Sequence, residues 1–181
     1  MTGLLVLVLL VGIVGWAIKT YNGLVRSREN VYNAKSQIST QIESRWDALT
    51  SIIQSTKQYA THEAETLEKV TEQRTSVNQN SSVAELEQDD AQFGNVLNRL
   101  LAVVESYPEL KASDLYQTAM REVSDYENKV RHSRMVFNDS VTILNRAIQE
   151  FPSSIIAGLF GFEKQAYFEE TETKKEMPSW D

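Results

Sequence analysis

The first eighteen residues carry no charged side chain, and from Gly3 to Ile18 they read GLLVLVLLVGIVGWAI before Lys19 ends the run. A helix of that length is about 27 Å long, and the hydrocarbon core of a bilayer is roughly 30 Å thick. No comparable stretch occurs in the rest of the chain. The architecture must therefore join one lipid-soluble helix to a long polar body. A cleaved signal peptide is the competing reading, and it needs a basic start and a polar region before a small-residue cleavage site. Met1-Thr2 supplies no basic side chain, and Gly15-Trp16-Ala17 follows directly on apolar residues. Residues 1–20 are therefore expected to be an uncleaved transmembrane anchor in contact with the lipid bilayer. Trp16 and Tyr21 sit where interfacial aromatics belong.

Lys19, Arg26, Arg28 and Lys35 follow the anchor, against a single Glu29. The positive-inside rule then puts the N-terminus outside and the body in the cytoplasm. The same basic collar suits anionic headgroups, although orientation alone accounts for it. The formal net charge of the whole chain is −7. An acidic body lacks the basic face that replaces counterions on nucleic acid, so a nucleic-acid partner is not expected. With no cysteine in the sequence, disulfides, thiolate metal sites, a lipoprotein anchor and cysteine catalysis are excluded.

Glycine and proline punctuate the body. None occurs between Gly23 and Gly94. Apolar or small residues recur there in steps of three and four, at Val31, Ala34, Ile38, Ile42, Trp46, Leu49, Ile53, Thr56, Ala60, Leu67 and Val70, which is one face of a helix. One helix is expected from about Tyr21 to about Arg74, possible as a direct continuation of the span. Ser76 to Ser82 is a polar break, and Ser82 with Glu85 is a capping box opening a second helix. Its apolar face is Val83, Leu86, Phe93, Leu97, Leu100, Leu101 and Val104, and it stops near Tyr107-Pro108. Ser113-Asp114 caps a third helix. Its stripe runs through Leu115, Ala119, Val123, Tyr126, Val130, Phe137, Val141, Leu144, Ile148 and Phe151, ending at Pro152.

The second helix is too short to cover all of the first. The remaining seam of the first long helix is therefore expected to meet the same helix of a neighbouring chain, giving a homo-oligomer. The segment from Pro152 to Glu163, with Ile155, Ile156, Leu159, Phe160 and Phe162, is too short to span a membrane. Capping the bundle is the default for it. A place in the membrane interface and contact with a partner are the alternatives.

These residues also carry a resemblance. Tyr21-Asn22-Gly23-Leu24-Val25, Arg28 and Val31 follow the anchor. Ala34, Ile38, Gln41, Arg45, Asp47, Tyr59, Glu63 and Arg74 continue the pattern, and Tyr107-Pro108-Glu109-Leu110-Lys111-Ala112 is its strongest block. Glu127-Asn128, Arg131, Arg134, Phe137-Asn138, Val141, Asn145, Phe151-Pro152, Ile156-Ala157, Gly161-Phe162 and Tyr167-Phe168-Glu169 complete it. In order and spacing the chain resembles the bacterial LemA family over nearly its whole length. That resemblance implies a short N-terminal anchor in the bacterial cell (inner) membrane and a helical-bundle body facing the cytoplasm. It implies no activity. Relatives are often encoded near a membrane zinc metalloprotease, which makes a role in membrane-protein quality control one implication. Thr50 stands where the family has a proline, so a straight first helix is expected. Phe137 stands where the family tends to tyrosine.

No constellation for chemistry survives inspection. His62-Glu63 would need a second histidine at position 66, which is Thr66. His132 is the only other histidine, and Glu127 lies at the wrong spacing from it for a di-metal bundle site. Asp89-Asp90 and Glu169-Glu170 read as surface or end charges. The sequons at Asn80 and Asn138 have no meaning in a cytoplasmic body. Arg45, Arg134, Asn138 and Asn145 lie on or beside apolar stripes, where polar residues fix register at some cost in stability; a polar binding groove is the alternative.

The expected fold is all-α: an N-terminal transmembrane helix running into a long antiparallel bundle of three to four helices. Residues 1–20 form the anchor, 21–151 the bundle, and 152–181 an apolar C-terminal segment and acidic tail. No catalytic, cofactor-binding or metal-binding residue is assigned, and no enzymatic activity is expected. The expected role is an oligomeric membrane scaffold, with an adaptor or regulatory subunit for a membrane-protein partner, such as a membrane protease, as the alternative.

Overall fold

In a computed structural model, residues 1–56, 77–78 and 80–168 are described. Helix α1 runs without interruption over Thr2–Thr56, so the charge-free run and the first part of the body stripe share one helix. Thr50 lies inside it, where its hydroxyl donates to the carbonyl of Trp46 at 2.8 Å. A threonine here leaves the ladder intact, whereas a proline would remove a hydrogen bond and clash with the preceding turn. The helix passes through this position without interruption. The continuation of the stripe at Ala60, Leu67 and Val70, together with His62, Glu63, Thr66, Arg74, Glu169 and Glu170, falls outside the described residues.

Helix α2 spans Val83–Glu105 and opens on the expected capping box. The Ser82 backbone N–H donates to Glu85 Oε2 at 2.6 Å, and the Glu85 N–H donates to Ser82 Oγ at 3.2 Å. This pairing holds the Glu85 carboxyl below its usual range, chiefly through the Ser82 backbone N–H. A short helix α3, Pro108–Ala112, begins with proline at its first position, where a missing N–H costs nothing. Ser113 then closes α3 and opens α4: its hydroxyl donates to Leu110 O at 2.8 Å and accepts from the Tyr116 N–H at 3.3 Å. Helix α4 covers Asp114–Gln149, and α5 is a single short segment, Ser153–Leu159. Among the described residues there is no strand.

Helices α1 and α4 pack antiparallel along most of the body. The α1 stripe from Val31 to Ile53 is buried against α2 and α4 of the same chain. Within the described residues, that stretch of the stripe is covered by its own chain. Two members of the expected α4 stripe face outward. Leu115 is exposed and its neighbour Tyr116 takes the buried position, three residues before the buried Ala119. Phe151 lies beyond the end of α4 and is 81% exposed.

The segment after α4 folds back onto the body. Phe168 joins the main core and meets Phe137 edge to face at 5.3 Å. Ile156 and Ala157 form a second, smaller cluster with Leu24, flanked by Ala17, Ala147, Ile148 and Phe162.

Candidate functional site

Three features stand out from an ordinary bundle: a buried charge cluster at mid-body, a strap that runs along α4, and the base where α1 leaves its apolar run.

The cluster is built by one turn of α1 facing α2 and α4. Arg45 is fully buried, and its Nη1 donates at 2.8 Å both to Asp90 Oδ1 and to Glu127 Oε1. Its Nη2 lies 4.0 Å from Asp89 Oδ2. Trp46, the next residue, donates from Nε1 to the same Asp89 oxygen at 2.9 Å. Arg134 of α4 pairs with Asp90 Oδ1 at 2.9 Å. The Arg45 guanidinium also lies over the Phe93 ring at 3.9 Å, and Phe93 meets Trp46 edge to face at 5.1 Å. Burial raises the pKa of Asp90, but the two guanidiniums outweigh burial and hold the carboxyl below its ordinary value. A carboxylate kept ionised in this way is badly matched to proton transfer near neutral pH. The arrangement is suited to fixing three helices in one register.

Asp89-Asp90 is thus not the pair of surface charges that the sequence reading expects. Asp89 is fully buried. The signal was present in the spacing, since Leu86, Asp89, Phe93, Val96 and Leu100 follow steps of three and four and are all buried. An aspartate on that line needs a buried cation, and Arg45 holds the same status on α1. By contrast His132 is exposed, remote in character from any such site.

The strap is held by Asn138 and Asn145. The Asn145 amide donates to Gln165 O and accepts from Gln165 N–H, both at 2.9 Å. The Asn138 amide does the same with Phe168, at 3.2 and 3.0 Å. Seven residues of helix rise about 10.5 Å, and three residues of extended chain reach about 10 Å. The two rows match when residues 165–168 run extended along α4. Both asparagines therefore grip the chain's own C-terminal segment. Arg134 joins strap to cluster, since its guanidinium lies 5.3 Å from the centre of the Phe168 ring while it pairs with Asp90.

At the base, Tyr21 packs against Phe160 and Phe162 with ring centres 4.7 and 5.9 Å away, and Arg28 lies 5.3 Å above Phe162. The apolar start of α1 is the one helix among the described residues long and apolar enough to cross a membrane, and its most apolar window is unburied by the protein.

The model of the LemA family matches residues 34–181. A stretch of 81 residues, 45% of this chain, is 38% identical to magnetosome protein MamQ of Magnetospirillum gryphiswaldense and covers 30% of that protein. Magnetosome protein MamQ 2 of Paramagnetospirillum magneticum is 35% identical over a stretch of the same length, again 30% of its own length. The chain therefore matches less than a third of these magnetosome proteins. Protein LemA of Metamycoplasma hominis is 28% identical over 158 residues, which is 85% of this chain and 71% of that protein.

Proposed function

The chain belongs to the LemA family, and from that premise we propose that it is a non-enzymatic, single-pass membrane scaffold whose helical body is carried on an unbroken extension of its anchor. The observation that carries this reading is the continuity of α1 from Thr2 to Thr56. The helix that would cross the bilayer is the helix that contributes Val31, Ile38, Ile42 and Trp46 to the core. Such a body cannot swing freely on a linker, and its orientation to the membrane follows from α1. Lys19, Arg26, Arg28 and Lys35 support a cytoplasmic body and an outer N-terminus in a bacterial inner membrane.

Assembly of several copies is the second half of the proposal. Confinement to a membrane raises effective concentration, so modest contacts between chains suffice. One observation favours the adaptor reading instead: the α1 stripe between Val31 and Ile53 is already covered by its own chain, and a finished body of this kind can present a surface to a membrane-protein partner as a monomer. Native mass measurement of the full-length protein, released from the membrane in mild detergent, separates the two. A defined multi-copy particle is the expected result. A monomer that co-purifies with a second membrane protein would move the assignment to the adaptor.

A further inference from the structure

Helix α5 buries one face and bares the other. Ile156 and Ala157 pack inward on Leu24, while Ile155 and Leu159, one turn apart, point away from the body and are 56% and 74% exposed. Phe151 before α5 and Phe160 after it are also exposed. The helix ends in a tight reversal. Gly161 has φ +68°, a left-handed conformation that glycine adopts without strain, and the Phe162 N–H returns to Ala157 O at 2.9 Å. That turn carries Phe162 back under Arg28 and leaves Phe160 at the rim.

Isolated exposed apolar side chains are ordinary on a protein surface, but a contiguous group marks a contact. This group has a definite position. The inner face of α5 packs beside Ala17, which lies within the charge-free run, and Phe160 lies against Tyr21, two residues past Lys19. Its outer face therefore sits at the level where α1 passes from apolar to polar surroundings. The anchor's run is about 27 Å long, slightly less than the roughly 30 Å hydrocarbon core, so the base of the body is drawn against the headgroups. Lys19 and Arg26 stand exposed beside this level. Glu150 and Glu163 are there too, and Arg146 lies 3.8 Å from the Glu150 carboxylate.

We propose that Phe151, Ile155, Leu159 and Phe160 form a second membrane contact, inserted into the interfacial layer of the bilayer on the body's side. Resting on the reading of residues 1–20 as a membrane anchor, this adds a foot to the post. Two attachments, α1 and α5, fix the rotation of the body about α1 as well as its height. The inward side chains of α5 are occupied by Leu24, and its outward ones take lipid.

The chain has no cysteine, so single-site spin labelling needs no background removal. Full-length protein carrying Ile155→Cys or Leu159→Cys is reconstituted into phosphatidylcholine–phosphatidylglycerol vesicles. Collision with lipid-soluble oxygen is compared with collision with an aqueous nickel chelate. Leu9→Cys reports on the anchor, and Ile143→Cys, exposed on α4, reports on a water-facing site of the body. The expected result is an oxygen-to-nickel ratio at 155 and 159 several-fold above that at 143 and approaching that at 9. A ratio at 155 and 159 equal to that at 143, with Leu9→Cys in lipid, would overturn this proposal and leave the anchor standing. Water access at 9 as well would remove the anchor reading and this one with it. Shielding of 155 and 159 from both reagents, with dipolar broadening between labels, would give the surface to a second copy and also overturn it.

Discussion

The mid-body and the base of this molecule solve the problem of burial in opposite ways. At mid-body, Arg45, Trp46, Asp89, Asp90, Glu127 and Arg134 are tied together by hydrogen bonds and ion pairs among three helices. At the base, Leu24, Ile156 and Ala157 make a small apolar cluster whose neighbours Phe151, Ile155, Leu159 and Phe160 stay bare. A buried guanidinium tolerates few arrangements of its partners, so the first region specifies register. A bare apolar rim specifies no partner geometry, but it does specify a medium. Under the proposed membrane contact, the body's internal order and its relation to the membrane are set by different residues, and these can be disturbed separately.

The largest separation should come from Arg45. Arg45→Met keeps length and packing but leaves Asp89, Asp90 and Glu127 facing one another with a cation removed. Breaking a buried pair on one side costs roughly 3–5 kcal/mol. Chemical unfolding of the full-length protein in detergent micelles should show a loss of that order, whereas Leu159→Gln at the base, which removes little packing within the protein itself, should cost clearly less. Equal losses at the two sites would erase the distinction between the regions.

A smaller effect tests what lies between them. Asn145→Ala removes both hydrogen bonds to Gln165, each worth about 0.5–1.5 kcal/mol net. Loss should be local. The Gln165 and Phe168 amides should exchange with solvent faster, while amides of α2 keep their protection. If protection fell across α2 as well, Arg134 and Phe168 would be transmitting strap release into the charge cluster, and the two regions would be one cooperative unit.

Much of this arrangement is legible in the sequence, for identifiable reasons. Ser82 with Glu85 and Ser113 with Asp114 mark helix starts because a side chain there satisfies backbone N–H groups within three residues. The α1 stripe is legible because its spacing is long and regular. What escapes are features whose partners are distant in the chain. Asp89 reads as half of a surface pair until Arg45, on another helix, is known to face it. Asn138 and Asn145 read as bundle polar residues, although the atoms they grip belong to the backbone of Phe168 and Gln165, which no side-chain pattern announces. Helix α5 is too short for periodicity to reveal, and Leu115 and Tyr116 differ by only one position in phase.

The subtlest test uses Asp90. Its pKa is lowered in the folded protein: burial raises it, and Arg134 and Arg45 together more than reverse that. A carboxyl whose folded pKa is depressed binds fewer protons folded than unfolded over the intervening range. Its contribution to stability is thus complete above the unfolded value of about 3.9 and is lost as pH falls through the folded value. Asp90→Asn should therefore flatten the fall in melting temperature below about pH 4, and the effect should be smaller than that of Arg45→Met because 25% of the Asp90 side chain reaches water. The wild-type slope should keep its size when the base is altered by Leu159→Gln. A slope that followed the base substitution instead would mean that acid unfolding begins at the membrane end, before the charge cluster opens.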